Sequence, residues 1–306
     1  MRVDKKVSAM LEARYKYTRT TKGYVIVDET GENRRQKRGH KPFMTPKRSV
    51  LAMLLLLMII AQINVADHTG LVHAGIAAAT AIFIDTLIAV VKKRKLTFPD
   101  GAAITGLIVA LVLSPMVSSY ISVLTAAIAI ASKHLFIVKK KPIFNPAAFG
   151  LLVTAVLFSS GQNWWGGLSM LPAWCILLVG ITGFFVTQKV NKFPQVFSFL
   201  GFYFLILLII GITGIENVGD MLRVPYINST LFLAFFMLTD PPTSVGKYKD
   251  QIIFGVIVAI ASIVSYMIFG GLVFLLVGIL VANGWKAWGI SRNKKTKRAS
   301  TTSAVI

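Results

Sequence analysis

Apolar residues in this chain fall into blocks separated by short polar breaks, not at the alternating positions of a half-buried strand. Ten such runs can be marked: roughly 49–65, 70–91, 102–114, 118–133, 146–158, 171–188, 195–214, 226–239, 251–269 and 271–288. A helix needs about 20 apolar residues to cross about 30 Å of hydrocarbon, and most of these runs approach that length. The pattern predicts an all-α membrane protein of ten transmembrane helices over 49–288. Basic tails, 1–48 and 289–306, flank it. Two runs are shorter. The third, "TGLIVALVLSP" (105–115), and the eighth, "STLFLAFFMLTDPP" (229–242), each hold only about 13 apolar residues, a rise of about 20 Å. The rest of those crossings must be broken or re-entrant backbone, buried in protein or lining a cavity.

Charge fixes the expected orientation. The chain is 55% hydrophobic, with a mean hydropathy of +0.69 and a formal net charge of +21. With the amino terminus in the cytoplasm, the basic loops "KKRK" (92–95), "KHLFIVKKK" (133–141), "QKVNK" (188–192), "GKYKD" (246–250) and the tail "SRNKKTKRAS" (291–300) all lie inside. Arg223 is the sole basic residue placed outside. The excess charge is thereby assigned to topology, and nucleic acid is not expected as a partner. The expected location is the cytoplasmic membrane, with both termini cytoplasmic. The first tail carries 14 Lys or Arg against 5 Asp or Glu. It reads as a topology signal touching lipid headgroups or as a docking segment for another protein, with a short strand and turn within 23–40. It is too long and too charged for a cleavable signal peptide. The lone Cys175 cannot make an internal disulfide, nor hold an iron–sulfur cluster or structural zinc alone. His40, His68, His73 and His134 show no metal-ligand spacing and read as isolated polar groups near the membrane surfaces.

Ten helices divide into five and five. An odd number means that a duplicated second half is inverted in the membrane. The third and eighth runs stand third in their halves, and both end in a hydroxyl residue and proline, Ser114-Pro115 and Thr239-Asp240-Pro241. Interrupted helices at matching places point to a binding site near the bilayer midplane. In "MLTDPPTS" (237–244), Pro241 and Pro242 stop the helix. Thr239, Asp240 and Thr243 then stand among carbonyls without helical partners, a place for a cation or a polar ligand edge. The plain alternative is Asp240 at the interface, paired with Lys247 or Lys249. In "FPDGAAITG" (98–106), Asp100 can cap the third helix and Gly101 permits close approach, with Thr105 and Gly106 one turn on. In "KKPIFNPAAFG" (140–150), Asn145-Pro146 has the form of a helix start, with Asn at the cap. Asp85 lies inside the second run. It is either a proton or cation carrier or a buried acid bonded to a polar neighbour.

Together, "DGAAITGLIVALVLSP", "FNPAAFG" and "MLTDPPTS" resemble the NqrB/RnfD family of membrane proteins. Its members are components of the Rnf electron-transport complex and of the sodium-translocating NADH:quinone reductase. The resemblance implies two inverted five-helix repeats and a flavin, FMN or riboflavin, passing electrons in a complex linked to Na⁺ or H⁺ movement. It also implies partners, either other redox membrane subunits or an FMN-carrying protein. Members often hold FMN covalently on the Thr of an S-G-A-T motif in an outer loop. Here that loop reads "SSGQNWWGGLSM" (159–170), and S-G-A-T occurs nowhere in the chain. The flavin is therefore expected to be non-covalent. Trp164 and Trp165 read as interface residues or as a flavin stack.

The expected function is a flavin-binding electron-transfer component of an ion-coupled redox complex, not an autonomous enzyme. Thr105, Gly106, Asn145, Thr239, Asp240 and Thr243 would contact the cofactor. Asp85 and Asp100 would serve ions or protons. The alternatives are a channel or transporter for a small solute or flavin, or a scaffold for an FMN-carrying partner.

Overall fold

The computed structural model describes residues 16–20, 23–27, 45–63, 67–94, 97–214 and 219–303, with side chains described between 45 and 292. The chain divides into two units, Met1–Thr45 and Pro46–Ile306. In the first, Lys16–Thr20 (β1) pairs antiparallel with Gly23–Val27 (β2), Thr20 standing opposite Gly23. The rest of that tail, with His40 and its expected lipid or partner contacts, lies outside the described residues.

The second unit contains ten α-helices among the described residues: α1 Pro46–Gln62, α2 Thr69–Val91, α3 Asp100–Val112, α4 Ser119–Leu135, α5 Pro146–Phe158, α6 Ile176–Val190, α7 Phe193–Thr213, α8 Val224–Phe232, α9 Tyr248–Phe269 and α10 Phe274–Ser303. Each apolar run has its helix. The two differences are at ends. α8 passes into a π-helical turn over Leu233–Met237, and α10 runs on past the apolar run into the basic tail. Among the described residues, five segments are long and apolar enough to cross a membrane: α2, Ala173–Val190 containing α6, α7, α9 and Phe274–Arg292 of α10. α3, α4, α5 and the α8 segment are apolar but shorter. Large apolar side chains such as Phe83, Leu87, Leu177, Ile181, Leu208 and Ile212 are exposed on the helices, an arrangement suited to lipid and costly in water. The chain is a multi-pass helical membrane protein.

Packing follows a pattern with a spacing of five helices. α2 packs on α4 as α7 packs on α9; α4 packs on α5 as α9 packs on α10; α1 meets α3 as α6 meets α8. α1 also packs on α6, and α5 on α10, across the two sets. Small residues let backbones meet where apolar bulk offers no advantage over lipid. A β-carbon at Gly150 of α5 would stand 2.6 Å from the Thr125 carbonyl oxygen of α4. One at Gly278 of α10 would stand 2.9 Å from the Val258 carbonyl oxygen of α9. The fifth helix of each set thus meets the fourth through a glycine.

Between α4 and α5, Ile137–Val138 (β3) and Lys141–Pro142 (β4) form a two-residue hairpin. Its turn residues, Lys139 and Lys140, both have left-handed backbone, at φ 50° and 63°. Asn-Gly is the usual choice for such a turn, and a side chain there costs about 1–2 kcal/mol per residue.

Gly150→Ala is expected to lower stability by about 1–3 kcal/mol through overpacking against α4. Gly75→Ala, where nothing stands within 4 Å, should leave it unchanged or raise it. Thermal unfolding in detergent distinguishes the two, and equal midpoints for both variants would contradict the close α4–α5 contact.

Candidate functional site

The broken end of α8 is where the chain has most backbone to satisfy. After the π turn closes with the Leu238 N–H on the Leu233 carbonyl, Pro241 and Pro242 prevent any continuation. The carbonyls left behind are met by side chains from elsewhere. Asn145 Nδ2 donates to the Met237 carbonyl at 3.1 Å, and Gln195 Nε2 to Leu238 at 2.7 Å. Lys286 Nζ donates to Pro242 at 2.9 Å, Asn283 Nδ2 to Thr243 at 3.3 Å, and Lys192 Nζ to Val245. Asn145 is the hub. Its Oδ1 caps α5 by accepting from Ala148 N at 3.1 Å, as the Asn-Pro sequence predicts. Its own N–H donates to Asn283 Oδ1 at 2.7 Å.

These carbonyls already have donors, which uses part of the acceptor capacity that the proline break leaves for a cation. Thr239 Oγ1 donates back to the Phe235 carbonyl at 2.6 Å. Asp240 accepts from Thr243 Oγ1 at 2.7 Å, and its carbonyl takes the N–H groups of Thr243 and Ser244. Among the described residues Asp240 makes no ion pair, so the alternative of a pairing with Lys247 or Lys249 is not formed. The carboxylate is turned inward, capping its own turn. Lys192, between α6 and α7, is buried. Burial, with the Lys141 ammonium nearby, holds its pKa below the ordinary lysine value, while Asp240 acts in the opposite sense.

A cavity of about 420 Å³ opens beside this turn. Its walls bring together Asp85, Asp100, Thr105, Asn145, Thr239 and Asp240, six positions dispersed over more than half the sequence. Val50, Ile104, Ile108, Ala147 and Phe236 supply apolar surface, and Lys47, Arg48 and Lys133 supply positive charge. The start of α3 and the end of α8 face the same space. Asp100 does not cap α3: the helix begins at Asp100 itself, with Pro99 at the cap position and no side-chain cap bond. A residue already inside the first turn cannot reach back as a cap. Its Oδ1 is instead buried with no partner among the described residues. Thr105 is buried and donates to the Gly101 carbonyl at 2.9 Å. Gly106 does not line the cavity. A β-carbon there would stand 2.6 Å from Ala78 Cα, so its role is the α3–α2 contact. Thr243 stands behind the wall, bonded to Asp240.

Asp85 is paired. Its Oδ1 lies 3.0 Å from Lys133 Nζ and 2.7 Å from His134 Nε2, both in the last turn of α4. His73 bonds Ser122 Oγ at 2.6 Å between α2 and α4. Thus His73 and His134 are not isolated surface groups; both tie α2 to α4. The i, i+1 pair Lys133-His134 ending a helix opposite a half-buried acid was the available signal. It is weak, because the sequence does not show which helix faces which.

At the far end of α3 the loop 159–168 folds back on the helix. Val112 accepts from Asn163 N and Trp164 N, both at 3.0 Å, and Ala110 from Trp165 Nε1 at 2.7 Å. Trp164 is fully buried and Trp165 nearly so. Neither is an interface residue, and neither stands at the cavity. They are interior packing, drawn in by the orphan carbonyls of a short helix. Trp164 meets Phe232 edge-on at 6.2 Å, and Phe232 stacks on Phe236 at 5.2 Å.

Residues 39–170 match the model of the NQR2, RnfD, RnfE family. This is the family that the sequence resembles, matched over less than half of the chain. The match spans α1–α5 and the 159–170 loop, including "DGAAITGLIVALVLSP" and "FNPAAFG"; "MLTDPPTS" lies beyond it. No curated protein matches the chain.

Asn145→Ala removes both the α5 cap and the donor to Met237 and should cost about 2–3 kcal/mol, whereas Asn145→Asp keeps the cap and loses only the donor. Unfolding midpoints should therefore rank wild type, Asp, Ala; an Ala variant as stable as wild type would remove Asn145 as the hub. Asp85→Asn should cost about 1–2 kcal/mol, reduced by partial exposure. Lys133→Met in that background should restore part of it, and an additive double-mutant cycle would contradict the pairing.

Proposed function

We propose that this chain is a flavin-binding subunit of an ion-coupled membrane redox complex, holding its flavin non-covalently in the cavity between α3, α5 and the end of α8. The observation that carries this is the cavity itself. It lies within the size range of small-molecule sites, and its walls join apolar side chains to polar and charged groups. Among these is a buried carboxylate oxygen, Asp100 Oδ1, without a partner among the described residues. Such a site suits a flat, largely apolar ring system with a polar rim. Phe236 and Ile108 would pack on its faces, with Thr105, Asn145, Thr239 and Asp240 at its edges. The flavin would supply the one- and two-electron chemistry, and the protein its position and surroundings. Asp85 lines the same cavity and, paired with Lys133 and His134, would be the proton or ion carrier of the site.

The five-helix spacing of the packing supports two inverted repeats, with α3 and α8 as their interrupted third helices. The distribution of Lys and Arg supports ten crossings of the cytoplasmic membrane with both termini inside. The family match and the lack of a nucleotide-binding fingerprint in the sequence support other redox proteins as electron donor and acceptor. The outer loop offers no S-G-A-T threonine. A channel is the second reading. The buried Phe232, Phe236 and Trp164 fill the space along α8 toward the outer loop, which favours a closed site over a pore.

The test is an absorbance spectrum of the purified protein before and after acid precipitation. A flavin band near 450 nm (about the position for the free cofactor) should appear and leave the pellet with acid. Asp100→Asn and Asp240→Asn should carry less flavin than wild type. A band retained by the pellet would mean covalent attachment. No band after adding riboflavin and FMN would overturn the proposal in favour of transport or a scaffold role.

A further inference from the structure

A second cavity, of about 590 Å³, lies on the opposite side of the "TDPPTS" turn from the first. Pro241 and Pro242 line one, and Ser244, Val245 and Gly246 line the other. Its walls are the Val138–Lys141 turn, the segment leading into α9, and one face of α10.

Three features give this cavity a consistent chemistry. Four lysines line it, Lys139, Lys141, Lys247 and Lys286, against a single carboxylate, Asp250. Among the described residues none of the four is within ion-pair reach of a carboxylate. The first turn of α9, a helix of 22 residues, opens onto it; the cap residue is Lys247 and makes no side-chain cap bond. The free N–H groups and the positive dipole end of such a helix attract anions. Independently of both, Ser244 lines the cavity and is more than nine-tenths buried. Its hydroxyl has no partner among the described residues. A buried hydroxyl without a partner is costly unless a ligand supplies one. The lysine hairpin adds to the case. Two left-handed lysines hold the "KKK" run over the cavity where Asn-Gly would have been easier. Behind the wall, burial and then Lys141 depress the Lys192 pKa, with Asp240 acting in the opposite sense.

We propose that this cavity binds a phosphate group. The lysines neutralise it, the α9 N-terminus and Ser244 Oγ donate to its oxygens, and Trp285, also in the wall, reports its arrival. The phosphate belongs either to a soluble phosphate ester or to an anionic phospholipid headgroup. The proposal stands apart from the flavin reading, since no residue of the flavin edge contributes to it.

The full chain in phosphatidylcholine nanodiscs would be titrated with inorganic phosphate. In parallel, it would be reconstituted with increasing phosphatidylglycerol. Tryptophan fluorescence and the unfolding midpoint would be followed. The expected result is a saturable response to phosphate that sodium chloride at equal ionic strength does not reproduce. It should weaken at least tenfold in Ser244→Ala and in the Lys141→Gln/Lys247→Gln double variant, whose exposed side chains put folding at no risk. Trp285→Phe should lose the fluorescence change and keep the midpoint shift. Lys92→Gln/Lys93→Gln should respond as wild type. Saturation by phosphatidylglycerol at low mole fraction, with phosphate silent, would assign the group to a lipid headgroup. The proposal is overturned by the absence of saturable binding to either probe, by an equal effect of chloride, or by variants indistinguishable from wild type.

Discussion

A carbonyl oxygen buried without a donor is costly, and inside a membrane there is little water to repair it. The architecture around α8 answers that constraint. Two prolines end the helix early, and five side chains, from Asn145, Lys192, Gln195, Asn283 and Lys286, bring donors to the carbonyls left behind. The position of α5, the loop between α6 and α7, and the inner faces of α7 and α10 all follow from reaching that turn. The cavity exists because the turn is held open instead of being filled by another helical coil.

The same constraint shapes the far end of α3. There the donors come from one loop, through two backbone N–H groups and the Trp165 indole. That requirement pulls two tryptophans into the interior. Tryptophan in a loop between apolar runs ordinarily signals the membrane interface, and composition alone cannot separate the two cases. What decides is whether a neighbouring short helix leaves carbonyls that an indole N–H can reach.

How far the molecule was legible in its sequence follows from the range of the forces involved. Helices appear as apolar blocks because lipid acts on each residue locally; all ten were visible, and Asn145-Pro146 marked its helix start because a cap reaches only three residues. The polar positions that meet at the cavity, from Asp85 to Asp240, could be singled out because polarity in an apolar run needs a reason. Their partners could not. Asp85 with Lys133 and His134, His73 with Ser122, and Asn145 with Met237 are set by which helices lie side by side. Gly106 illustrates the limit: beside Thr105 it read as part of a ligand edge, whereas its missing side chain serves the α3–α2 contact. Asp100 lies one residue inside the helix, enough to turn a cap into an acid whose Oδ1 has no partner among the described residues.

Asn145 sits at the start of the fifth helix, yet it bonds to the end of the eighth and to Asn283 of the tenth. Carriers that work by alternating access rock one bundle past the other, and every polar tie across the seam must break and re-form in each cycle. Here the ties are buried and converge on a turn that two prolines already stiffen. Rocking these helices apart would strip a proline-ended turn of its donors, so the fifth and tenth helices are tied to the end of the eighth.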